Sequence, residues 1–146
     1  MVQAEVADRM MAEPGTKNYG AYTVKLGLYA YPVGRFSVSE GNFFPPPRVK
    51  SAVIRLDRHT DIPNHALIAA TSLMADAAFA NRRKTIANSC RTFFKQQDDG
   101  ENVTPLMLDD IFMAAGIDPS VRGEQLDRDA FLALGQAYLT MRTQHD

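Results

Sequence analysis

The stretch Phe43-Phe44-Pro45-Pro46-Pro47-Arg48-Val49-Lys50-Ser51, running on into Ala52-Val53-Ile54-Arg55-Leu56, decides how the rest of the chain is read. Each proline lacks a backbone donor and fixes φ at about −65°. Each also restricts the residue before it, so the run is expected to be extended and stiff. Val49, Ser51, Val53 and Arg55 then alternate with Ile54 and Leu56, the pattern of a buried strand. The sequence therefore places Phe43 and Phe44 at the rim of a sheet, where the chain enters a strand. Two roles are open to the rings. They cap the core from a surface loop, or a stiff mount holds them out for a partner.

Outward from this segment the chain divides in two. Before it, residues 5–13 read as a helix with Val6 and Met10 on one face, stopped by Pro14-Gly15. Residues 19–29 read as a second helix, with Tyr22, Leu26 and Tyr29 at helical spacing. Residues 31–38 form a candidate strand weakened by Pro32 and Gly34. Residues 57–63 read as a polar linker ending on Pro63. Beyond it every element reads as helical. Asn64 is a cap for residues 67–79, and Asn81 for residues 83–94. Residues 98–100, Asp-Asp-Gly, break the pattern. Thr104-Pro105 is a helix start with a capping hydroxyl and a first-turn proline, and Gly116 is the matching stop. Asp118-Pro119 opens a short turn, and Asp127 caps residues 131–141.

Two helices and two strands cannot cover both faces of a sheet. The first part is therefore expected to be the tail of a larger α/β domain whose other strands are absent, since Met1 opens directly on an element-like sequence. The expected organisation is α+β: residues 1–57 belong to that domain, 58–63 are linker, and 64–146 form a small all-α domain.

Composition narrows the classes. The 146 residues are 45% hydrophobic, a globular proportion, and no apolar run reaches membrane-spanning length. No basic-then-apolar leader is present, so no secretion signal is expected. The single cysteine, Cys90, excludes an intrachain disulfide and a cysteine metal cluster. Its neighbours Ile86 and Phe93 suit a small buried hydrophobe. His59, His65 and His145 lack metal-like spacing and take no role. The net charge of −1 argues against a strongly electrostatic nucleic-acid binder, but the distribution does not. Arg82, Arg83, Lys84, Arg91 and Lys95 occur with no acid between residues 81 and 97, whereas acids dominate residues 98–129.

On a helix starting at Asn81, Lys84, Asn88, Arg91 and Lys95 share a face within about 40°, while Ile86, Cys90 and Phe93 lie opposite. Such a face is often only solvated. Yet no i,i+4 acids are available. Arg82 and Arg83 would also stand in a first turn, where the helix dipole disfavours cations and welcomes phosphate. Asp109-Asp110 reads as a solvated, dipole-complementing pair rather than a catalytic dyad.

Five segments in order carry a family resemblance. Phe43, Pro45, Pro47, Val49 and Ser51 match F-x-P-x-P-x-V-x-S. Residues 2–9, Val-Gln-Ala-Glu-Val-Ala-Asp-Arg, look like VQKEVAxR, residues 14–20, Pro-Gly-Thr-Lys-Asn-Tyr-Gly, look like PGSKxYG, residues 79–85 look like FxxRRKT, and residues 116–124 look like GIDPxxRxE. The chain resembles the rRNA adenine dimethyltransferases, which include the small-subunit (16S) rRNA dimethyladenosine transferases and their large-subunit, resistance-conferring relatives. The helical part with Gly116-Ile117-Asp118-Pro119-Ser120 favours the small-subunit branch.

The resemblance implies a doubly wound S-adenosylmethionine-dependent methyltransferase domain, of which this chain is the C-terminal tail, followed by the helical domain. It implies dimethylation of the exocyclic amine of adjacent adenines in the 3′ hairpin of small-subunit rRNA, with the ribosomal subunit as partner, in the cytoplasm. In it, Phe43 falls on the position that packs against the flipped target adenine, Phe44 is a packing residue, and Arg82, Arg83, Lys84, Arg91 and Lys95 contact RNA.

The sequence departs from the family pattern twice. Ala21-Tyr22 stands where a basic residue is usual, and Lys50 where an acid is usual. The first removes a plausible RNA contact and the second adds one. None of the nine glycines forms a G-x-G, and the N-L-P-Y-type segment is missing. The chain alone is therefore expected to lack a complete cofactor site and to be inactive, supplying base packing and RNA binding. The competing readings are a non-catalytic RNA- or ribosome-binding module, and a polyproline ligand, the latter disfavoured because the run leads directly into a strand.

Overall fold

The computed structural model describes residues 1–97 and 103–145. The break expected at residues 98–100, the acids at positions 98, 99 and 101, and the side chain of His145 lie outside the described residues.

A short strand β1 (Val2–Gln3) runs straight into helix α1 (Ala4–Met10). Helix α2 (Ala21–Gly27), strand β2 (Ala30–Val38), a 3₁₀ turn at Glu40–Asn42 and strand β3 (Ser51–Arg58) follow. The strands form a three-stranded sheet in the order β1-β3-β2. All its pairings are antiparallel, with Val2 opposite Ala52 and Val53 opposite Phe36. The parallel pairing that defines a doubly wound sheet is therefore not formed among the described residues. The candidate strand with Pro32 and Gly34 is real. It survives because β2 is an edge strand of this sheet, where proline is tolerated, and its register shifts between Pro32 and Gly34. β3 is longer than expected, because Ala30 pairs with Arg58 and carries the ladder past Leu56.

The burial expected of β3 is not met. Ala52 is its one buried residue. Arg35 of β2 pairs with Asp8 of α1, which sets α1 against one face of the sheet. Phe36 and its partner Val53 point to the other face, and Phe36 is 63% exposed. An alternating strand is buried only on the face that something covers.

Helices α3 (His65–Phe79), α4 (Ile86–Gln96), α5 (Pro105–Ala115) and α6 (Arg128–His145) complete the described chain. Their ends follow local chemistry. The side chain of Asn64 accepts from the Leu67 amide at 2.9 Å, Thr104 from Met107 at 3.2 Å and Asp127 from Ala130 at 2.9 Å. Gly116 ends α5 at φ +68°, a left-handed conformation that glycine adopts without penalty.

Phe112, Phe131, Met74, Ile86, Leu108, Ile111 and Leu134 are fully buried among these helices. Tyr19 and Val24 join the same core, so α2 packs onto the helical part. The buried side of α2 is Thr23 and Val24, followed by Leu28; Tyr22 and Tyr29, read as helically spaced partners, are exposed. Helices α3 and α6 approach closely at Gly135. A Cβ there would meet the Thr71 backbone at 2.8 Å. Cys90 is buried and its thiol is pushed up to about 12 by desolvation, so it is a packing residue rather than a nucleophile.

Candidate nucleic-acid interface

Three separate segments meet at one place: the 14–20 loop, the turn between α3 and α4, and the 122–126 turn. The Gly15 amide donates to the Glu124 carbonyl at 2.6 Å, where Gly15 holds φ +84°. The Tyr19 hydroxyl donates to the Leu126 carbonyl at 2.5 Å, and its ring packs edge-on against Phe79 at 5.9 Å. Burial, and then the charge of Asp127, push the Tyr19 phenol up to about 12. Arg82 closes the junction. Its guanidinium donates to the Thr16 carbonyl at 3.2 Å and to the Glu124 carboxylate at 3.0 Å, and lies 5.8 Å from the Phe79 ring centroid.

This geometry corrects the expected basic helix face. Thr85, not Asn81, caps α4: its hydroxyl accepts from the Asn88 amide at 3.3 Å. Ser89 explains why. Its hydroxyl accepts from the Asn81 amide at 2.9 Å and donates to the Ala77 carbonyl at 2.7 Å. That pins residues 81–84 as a turn. Arg82, Arg83 and Lys84 thus precede the helix and are not first-turn residues, so the helix-dipole argument for them does not apply.

The cations also separate in role. Arg82, though exposed, is engaged by the Thr16 carbonyl and the Glu124 carboxylate. Arg91 has an acid after all, because Asp109 of α5 reaches it at 2.7 Å. Sequence distance hid that partner. Asp109 and Asp110 lie beyond the first turn of α5, so they do not complement its dipole. Arg83, Lys84 and Lys95 remain exposed and form no ion pair among the described residues.

Beside the junction lies a groove of about 580 Å³ lined by Glu5, Arg9, Lys17, Asn18, Tyr22 and Arg82, among others. Lys17 and Asn18 took no role in the sequence reading, and Tyr22 entered it only as a helix-face residue and as a departure from the family pattern. The signal available was the motif at residues 14–20 itself, which marks a loop without saying which side chains face a groove.

Phe43 and Lys50 sit elsewhere, in the β2–β3 connection. Phe43 is half-buried and its amide donates to the Glu40 carbonyl at 3.2 Å. Phe44 precedes a cis peptide bond to Pro45 and is completely exposed, so the packing role read for it is not seen in this chain. The Lys50 side chain is exposed, and its carbonyl accepts from the Ala4 amide at 2.8 Å. No hydrogen bond or ion pair joins Phe43 or Lys50 to the Arg82–Lys84 turn among the described residues. No group of histidine, cysteine or carboxylate side chains able to hold a metal occurs among them either. No helix of the described residues is long and apolar enough to cross a membrane.

Comparison with known proteins places these features in context. Residues 1–110 match the family described as ribosomal RNA adenine dimethylase. A protein of Acidithiobacillus ferrooxidans, ribosomal RNA small subunit methyltransferase A, is 40% identical over 139 residues, covering 94% of this chain and 47% of that protein. Proteins of the same name from Acinetobacter baylyi and Nocardia farcinica are 39% and 38% identical, each covering 92% of this chain and 44% of the relative. The chain thus spans about half the length of the curated relatives it matches. Among solved structures, a dimethyladenosine transferase from Plasmodium falciparum superposes with a TM-score of 0.73 at 22% identity, over 95% of this chain and 56% of that one. The 23S rRNA methyltransferase ErmE superposes with a TM-score of 0.53 at 18% identity. At these identities the likeness is one of fold.

Proposed function

Because the chain belongs to the ribosomal RNA adenine dimethylase family, we propose that it is the C-terminal part of a cytoplasmic enzyme that dimethylates adjacent adenines in the 3′ hairpin of small-subunit rRNA. The observation that carries this reading is the family match over residues 1–110, which runs through both the Phe43 segment and the Arg82–Lys84 turn. In the complete protein S-adenosylmethionine supplies the methyl group. This chain supplies the surface for RNA and one wall for the target base.

The division of labour follows residue by residue. Phe43 stacks on the extruded adenine, and Lys50 lies beside it as a further cation for the strand. Arg83, Lys84 and Lys95 contact phosphates. Arg91 contributes where its link to Asp109 leaves donors free, and Arg82 acts by bracing the 14–20 loop. Residues 1–57 complete a sheet begun elsewhere, 58–63 connect, and 64–146 dock on the ribosomal subunit. The uncovered Phe36 and Val53 face supports the first of these, because a full methyltransferase sheet is covered on both sides.

A cofactor cradle needs glycine where a strand hands over to a helix. The two junctions of a strand with an α-helix among the described residues, after Gln3 and between Arg58 and His65, contain none. We therefore expect this chain by itself to transfer no labelled methyl from S-adenosylmethionine to small ribosomal subunits. It should still bind the rRNA hairpin with salt-dependent affinity. Reversing Arg83 and Lys84 to Glu should weaken that binding and flatten the log–log salt slope by about 1–2. Methylation by the isolated chain at an enzyme-like rate overturns the partial-site reading. Unchanged affinity and slope in the reversed variant overturn the assignment of the turn.

A further inference from the structure

We propose that the groove between the 14–20 loop and the α3–α4 turn seats one unpaired nucleotide of the rRNA, with Lys17 on its phosphate and Tyr22 stacked on its base. This rests on the RNA-binding reading above and extends it to residues that reading does not use.

The groove has about 580 Å³ of space, enough for a nucleotide, and its lining is polar and apolar in nearly equal measure. Its charged lining is Glu5, Arg9, Lys17 and Arg82, an excess of positive charge. The cations differ in availability. Arg9 is paired with Glu5 at 3.0 Å across one helical turn, and both are well exposed. Arg82 is committed to Thr16 and Glu124. Lys17 is exposed and has no hydrogen-bond or ion-pair partner among the described residues, although it stands next to the residue that Arg82 holds. A rigid backbone thus presents a free ammonium at the edge of a groove.

Tyr22 lines the same groove from the first turn of α2 and leaves 45% of its surface in water. A half-exposed ring beside a free cation and the Asn18 amide is the combination that single-stranded nucleic acid uses, since any base offers a face to stack and any linkage offers a phosphate. Neither Lys17 nor Tyr22 is used to build the fold. The loop is fixed by Gly15, Thr16, Tyr19 and Arg82. Arg82 is accordingly a positioning residue for the groove.

The test uses the 146-residue chain with the naked 3′-terminal rRNA hairpin and with intact small subunits, and thermal melts confirm that each variant folds. Lys17→Glu should weaken hairpin binding about tenfold and lower the salt slope by about 1. Tyr22→Ala should weaken it about tenfold with the slope unchanged, and Tyr22→Phe should restore it. If the unsubstituted chain does not bind the hairpin, the RNA reading falls and this inference with it. If Arg83→Glu weakens binding while Lys17→Glu and Tyr22→Ala change nothing, the groove assignment alone is wrong. Loss on intact subunits without loss on naked RNA would assign the groove to a ribosomal protein and overturn the nucleotide.

Discussion

The helical part and the sheet of this molecule are built from comparably apolar sequence, and they bury it very differently. Between α3, α4, α5 and α6, Phe112, Phe131, Met74 and Ile86 lose essentially all contact with water. In β2 and β3, Ala52 alone is buried, while Val33 and Phe36 are 44% and 63% exposed. A helix bundle closes on itself because each apolar stripe finds another helix. A sheet has two faces, and α1 supplies cover for one. The same alternation of side chains that looks like a core strand therefore yields a half-open surface, and the function assigned to each part follows. The helical part holds its basic turn in place, and the sheet leaves its outer face open to solvent.

The sharpest way to break this contrast is to truncate a ring in each part. Phe131→Ala should cost about 3–5 kcal/mol in denaturant unfolding, because it opens a cavity in a packed core. Gly135→Ala comes next, at about 1–3 kcal/mol, since the new methyl would press on the Thr71 backbone and force α3 and α6 apart.

Tyr19→Phe should cost about 0.5–1.5 kcal/mol by leaving the Leu126 carbonyl without its donor. The native Tyr19 also predicts a pH effect with a definite sign. Its phenol is raised from 10.0 to about 12, so the folded state holds that proton more tightly than the unfolded chain. The corresponding stability is present below 10 and is lost as pH rises towards about 12. Tyr19→Phe should remove that part of the alkaline loss, which melts recorded across this window would read.

At the small end, Phe36→Ser should change stability by no more than about 0.5 kcal/mol, because the ring is already mostly in water. A loss as large as that for Phe131→Ala would mean that the outer face is covered in solution, and would erase the distinction between the two parts.

Helix boundaries that depend on neighbouring residues were legible from the chain. Asn64, Thr104-Pro105, Gly116 and Asp127 do what their types favour at those positions. The start of α4 was not, because two asparagine- or threonine-type caps compete there and Ser89 settles the matter through a bond to Ala77, twelve residues away in sequence. The same limit governs the candidate site. The basic run at residues 82–84 could be read directly, but not that Arg82 would be tied to Glu124, forty-two residues on, or Arg91 to Asp109.

The sequence by itself determined the order of elements, the local caps and, through five spaced motifs, the family. Those depend on short-range chemistry and on composition. Which cations stay free, which face of the sheet is open, and which residues share the groove beside Arg82 were decided by tertiary structure alone. Each is a property of pairs brought together across the chain, and a side chain's availability to a ligand is what remains after its own fold has used it.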